Sequence, residues 1–116
     1  YEVGEHSNFI LVPMLIAGLK QILHWTPEGI QEYCGNLIAP FLDDIKKLGG
    51  QVEEPTYRGN HLIGIRYEHL DTIRAKKIFK SHKVSVSMRG NSIRIAPHVY
   101  NDERDMRKLL KALKEL

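Results

Sequence analysis

The residues best suited to chemistry lie between Ser85 and Asn101, in the run SVSMRGNSIRIAPHVYN. Val84, Val86 and Met88 alternate with Ser85, Ser87 and Arg89, which assigns the two sets to opposite faces of a strand. Gly90-Asn91 then supplies a two-residue hairpin loop of the Gly-X type. That loop predicts the pairs Arg89 with Ser92, Met88 with Ile93, Ser87 with Arg94 and Val86 with Ile95. Each pair matches apolar with apolar or polar with polar, so a one-residue slip would bury the wrong set. Arg94 is thereby expected in mid-strand, on the face turned from the core. A planar guanidinium there can grip a carboxylate through two parallel hydrogen bonds. The plainer alternative is a strand arginine paired with a surface glutamate.

The surrounding elements must hold that strand in place. Ser7 or Asn8 can cap a first helix that passes through Phe9, Ile10, Met14, Leu15, Leu19, Ile22 and Leu23 and, because of Pro13, begins near residue 12. It is apolar on nearly all sides before Lys20, a pattern normally buried all round, so part of it is expected to meet something outside this chain. Thr26-Pro27-Glu28 starts a second helix, with Ile30, Tyr33, Leu37, Ile38, Phe41, Leu42, Ile45 and Leu48 at helical spacing, a kink expected at Pro40, and an end at Gly49-Gly50. Strands are expected near residues 51–53 and 61–67. In the latter, Ile63 and Ile65 face inward while Leu62, Gly64 and Arg66 face outward, and Gly64 marks a bulge or a close approach by backbone or ligand. A polar helix from Asp71 is anchored by Ile73, Ile78 and Phe79. The last helix, capped by Asn101, carries the stripe Met106, Leu109, Leu110, Leu113 and Leu116. The order α-α-β-β-α-β-β-α predicts an α+β domain with a small, mostly antiparallel sheet and helices packed on one face.

A chain of 116 residues with 42% hydrophobic content forms one domain with a modest core, and a net charge of +3 is too mild to indicate a nucleic-acid partner. Cys34, the sole cysteine, excludes an internal disulfide, fits a reducing cytoplasm and reads as a packing residue inside the second helix. The longest apolar run, residues 9–19, is too short to cross a bilayer, so no membrane partner is expected. The six histidines lack metal-ligand spacing, so no metal site is expected. The chain opens on Tyr1 rather than Met, which raises the expectation of an excised piece.

Arg94 followed by Tyr100-Asn101 resembles the Arg-x-x-x-x-x-Tyr-Asn signature of the small domain of class V aminotransferase-like enzymes, the pyridoxal 5'-phosphate (PLP) group that includes cysteine desulfurases and kynureninase. Tyr1-Glu-Val-Gly4 is similar to the segment that leads into that domain, and residues 102–116 resemble its last helix. The resemblance implies that residues 1–116 are the C-terminal small domain of a PLP fold type I enzyme acting on an amino acid, usually a homodimer when intact. It also implies that Arg94 binds the substrate α-carboxylate. The Schiff-base lysine and most of the cofactor site would lie in a large domain upstream, so no catalytic residue is expected in this chain and no lysine here matches that motif. Arg89 is expected to bind a second acidic group. The segment Gly4-Glu-His-Ser-Asn8 stands where the family writes Gly-Thr-Pro-Asn, so Ser7 and Asn8 are the expected contacts to the cofactor phosphate at a helix N-terminus, with Glu5 opposing them if it points inward. Cysteine desulfurases carry a loop and a nucleophilic cysteine before the arginine. Only Gly90-Asn-Ser-Ile93 separates Arg89 from Arg94, which leaves transamination or lyase chemistry instead of persulfide transfer.

Two further function classes compete with an enzyme domain. A stand-alone RNA-recognition-like module would need aromatic residues on its open sheet face, and Asn91, Ser92 and Ile93 follow Arg89-Gly90 instead. A dimerisation domain would shield the first helix by self-association.

Overall fold

A computed structural model describes residues 9–116. The elements run α1 (Leu11–Trp25), α2 (Pro27–Lys47), β1 (Gln51–Val52), β2 (Ile63–Arg66), α3 (Thr72–Ser81), β3 (Ser87–Arg89), β4 (Ser92–Ile95) and α4 (Glu103–Leu113), with a 3-10 turn at Pro55–Tyr57. The expected element order is the observed one. All strand pairs are antiparallel, and the sheet order β1-β2-β4-β3 places β4 between β2 and β3.

Alternation along the strands fixes which side is core. Ile63, Ile65, Ile93 and Ile95 point to one face and are no more than 5% exposed. They pack into a single apolar cluster with Ile38, Phe41 and Ile45 of α2, Ala75 and Phe79 of α3, and Met106, Leu109, Ala112 and Leu113 of α4. Helices therefore cover one face of the sheet, and no charged side chain is buried among the described residues. Gly50 allows α2 to turn tightly into β1: a Cβ there would meet Ile65 Cγ2 at 2.7 Å and Ile45 Cγ2 at 2.8 Å.

The helix starts follow local chemistry. Thr26 Oγ1 accepts the Gly29 N–H at 3.1 Å, with Pro27 and Glu28 in the first turn of α2. Thr26 itself sits at φ 61°, a costly backbone region for a β-branched residue, where the chain turns from α1 into α2. Pro40, where a kink was expected, lies on the exposed side of an uninterrupted α2. Asp71 accepts from the Ile73 and Arg74 N–H groups and caps α3.

Four expectations need correction. The cap of α4 is Asp102, not Asn101: Asp102 Oδ1 accepts the Arg104 and Asp105 N–H groups, and Asp105 returns a bond to the Asp102 N–H. A carboxylate there complements the helix dipole, while Asn101 serves the turn before it. Ile73 is 71% exposed, because helical spacing puts it on the side of α3 away from the buried Ala75 and Phe79, with Ile78 half-buried beside them. On α4, Ala112 takes a fully buried place while Leu110, and Leu116 beyond the helix end, are only partly covered. The β3–β4 ladder ends at Ser87–Arg94, so Val86 and Ile95 are not a ladder pair.

Candidate functional site

The face of the sheet opposite the helices carries the side chains that alternate with the buried isoleucines. On β2 these are Gly64 and Arg66, on β4 Ser92 and Arg94, on β3 Ser87 and Arg89, and on β1 Gln51. The hairpin forms as its sequence dictates: Gly90 adopts φ 52°, and the pairs Arg89–Ser92, Met88–Ile93 and Ser87–Arg94 are all present. Arg94 thus stands in mid-strand on one of the two inner strands, directly across from Gly64 on one side and Ser87 on the other. Both neighbours are small, so space beside the guanidinium is open. Arg94 itself is half-buried, and Arg89, at the hairpin tip, is exposed.

Electrostatically the face is one-sided. Neither Arg94, Arg89 nor Arg66 takes part in a salt bridge or side-chain hydrogen bond with another described residue. The ion pairs that do form lie elsewhere, on α2, on α4 and between His82 and Glu115. The plainer reading of Arg94, an ion-paired strand arginine, has no partner among the described residues. Ser7 and Asn8, the expected cofactor contacts, lie outside the described residues.

The strand that carries Arg94 is held at its C-terminal end by α2. The Cys34 Sγ donates to the Pro97 carbonyl at 3.3 Å, and the Tyr33 hydroxyl donates to the Asn101 carbonyl at 2.7 Å. Cys34 is buried and burial pushes its thiol pKa up, which suits packing and works against a thiolate nucleophile. The turn from Pro97 to Asn101 is closed by two bonds, Asn101 Oδ1 accepting the His98 N–H and the Asn101 N–H donating to the His98 carbonyl. His98 stacks on Tyr100 at 5.1 Å and meets Trp25 edge-on at 6.0 Å. Tyr100 is 77% exposed, so its ring rests on His98 instead of filling the core. Asn101 Nδ2 also donates to Asp105, and this bond, with Lys108 second, holds the Asp105 carboxyl below its ordinary pKa.

Sequence reasoning placed Arg94 and Arg89 on the open face and also turned Gly64 and Arg66 outward. It did not bring β2 beside β4. That pairing links residues about thirty positions apart and leaves no local mark. Its nearest signal is the glycine in mid-strand. Among the described residues no cluster of His, Cys, Asp and Glu could hold a metal ion, and no helix is long and apolar enough to cross a membrane. The chain matches no family model, no curated protein and no solved structure.

Proposed function

We propose that the chain is the substrate-gripping small domain of a pyridoxal-phosphate enzyme. Within that class, the resemblance carried by Arg94, Tyr100 and Asn101 favours the class V aminotransferase-like group, with transamination or lyase chemistry on an amino acid in a reducing cytoplasm. The supporting observation is an arginine without an ion-pair partner among the described residues, at the centre of the open sheet face, between Gly64 and Ser87.

The described residues fit the substrate end of such a site. When bound in the upstream domain, PLP supplies an electron sink at the substrate α-carbon. Arg94 supplies orientation: a rigid strand and a planar fork fix the carboxylate plane and hence which α-carbon bond stands ready to break. Arg89 is the expected contact to a second acidic group. The exposed apolar surface of α1, with Leu11, Val12, Met14, Leu15, Ile16, Leu19 and Leu23 all open, favours a covering partner, which on this reading is the large domain of the same enzyme within a homodimer.

The test is Arg94→Lys in the enzyme joined to its cofactor-bearing domain. The expected result is a rise in KM of about tenfold or more, with PLP absorbance unchanged, because an ammonium cannot make the paired bonds. Unchanged KM and kcat would defeat the proposal.

The RNA-recognition alternative fares worse on this surface, since none of the outward strand residues named above is aromatic and Tyr67 is buried.

A further inference from the structure

The register assembles more than one arginine. Arg66 lies two residues along β2 from Gly64, the residue opposite Arg94, and Arg89 lies two residues along β3 from Ser87, the other residue opposite Arg94. Both are therefore diagonal neighbours of Arg94, at the usual cross-strand diagonal of about 7–8 Å, within reach of side chains this long. Ser92 sits between Arg66 and Arg89, paired to each in turn. Three arginines thus neighbour Ser92 in the register, and together they carry a charge as large as the whole chain's net +3.

Such a cluster is costly unless something offsets it. Like charges on neighbouring strands repel, and none of the three arginines has a carboxylate partner among the described residues. The depression on this face is lined by Gln51, Gly64, Arg66 and Ser92 and by one acidic residue, Glu53, which makes no ion pair with Arg66. Gly64 adds an independent observation. Its φ lies outside the left-handed region, and a Cβ built on it would meet no atom within 4 Å. The fold does not require a glycine there, and glycine in a strand interior weakens it. What the glycine does provide is room above β2 between Arg94 and Arg66.

We propose that this face binds a dicarboxylate, with Arg94 on one carboxylate and the second carboxylate over Ser92, held by Arg66 together with Arg89. The assignment rests on the reading of Arg94 as a carboxylate clamp and narrows the substrate to an amino acid with an acidic side chain. Arg66 is the residue it adds.

The experiment follows the arginine Nε–Hε signals of this chain by 15N–1H NMR during titration with succinate, and separately with acetate. Succinate is expected to shift Arg94 and Arg66 together and to bind about tenfold more tightly than acetate, as one further charge-assisted contact implies. Arg66→Gln is expected to reduce succinate to the acetate level, and Gly64→Val to weaken succinate while the thermal melt stays the same or rises. If succinate and acetate bind alike and both still shift Arg94, the second subsite is wrong and the clamp survives. If neither anion shifts Arg94, the clamp itself is wrong and the subsite goes with it.

Discussion

Tyr67 shows how a residue can be placed for its ring at the expense of its hydroxyl. Its side chain closes the core cluster at the end of β2 and is 9% exposed, yet its hydroxyl has no hydrogen-bond partner among the described residues. Burial also raises the phenol pKa, so the group stays neutral throughout the physiological range. A buried polar group without a partner costs about 1–3 kcal/mol, whereas a phenyl ring in the same space costs nothing comparable. Tyr67→Phe is therefore expected to raise the urea midpoint, with a stability gain of about 1 kcal/mol and no change in the slope of the transition. A lower midpoint would mean that the hydroxyl is satisfied in solution. Cys34 is the opposite case, since its thiol does find the Pro97 carbonyl and so ties α2 to the end of the Arg94 strand.

At the scale of elements, α4 is held by charge at its start and by an apolar stripe along its length. The Asp102 carboxyl is lowered chiefly by the hydrogen bond from Arg104, and the Asp105 carboxyl chiefly by that from Asn101. A carboxyl whose folded pKa lies below its unfolded value of 3.8 stabilises the fold fully above that value and loses the contribution as pH falls through the folded one. Asp105→Asn keeps the shape and removes only the charge. Its melting temperature is expected to lie below that of the parent at pH 7, with the gap narrowing as pH falls below 3.8. A gap that persists in acid would assign the effect to packing. Elements of this kind were readable in the chain. The Thr26-Pro27-Glu28 start, the Gly90-Asn91 hairpin and the isoleucine alternation are local signals whose physics acts over a few residues. The Asp102 cap was displaced by one position because Asn101 and Asp102 both cap well, and only the bond from Asn101 back to His98 separates them. The β2–β4 pairing, and with it the arginine triangle, had no local signal, because it depends on α3 returning the chain to the far side of β4.

The whole molecule is more extended than its core requires. Its radius of gyration is 17.1 Å, against about 13 Å for a compact chain of this length, and its longest dimension is 50 Å against 30 and 26 Å for the others. One element stands clear of the core: α1 has no buried residue although Leu11, Met14, Leu15, Leu19 and Leu23 all lie on it. An isolated helix of that length is marginal in water, so α1 is expected to open separately from the body. Its amides should exchange with solvent far faster than those of α2, whose inner face includes Ile38 and Ile45 at 1% exposure. The same surface should bind a hydrophobic dye and drive self-association as concentration rises. Leu15→Glu with Leu23→Glu is expected to abolish both effects and leave the urea midpoint of the body unchanged, because neither leucine belongs to the core cluster. If the double substitution lowered the midpoint, α1 would be part of the cooperative fold in solution, and its exposed face could no longer be counted as a surface kept for a larger partner.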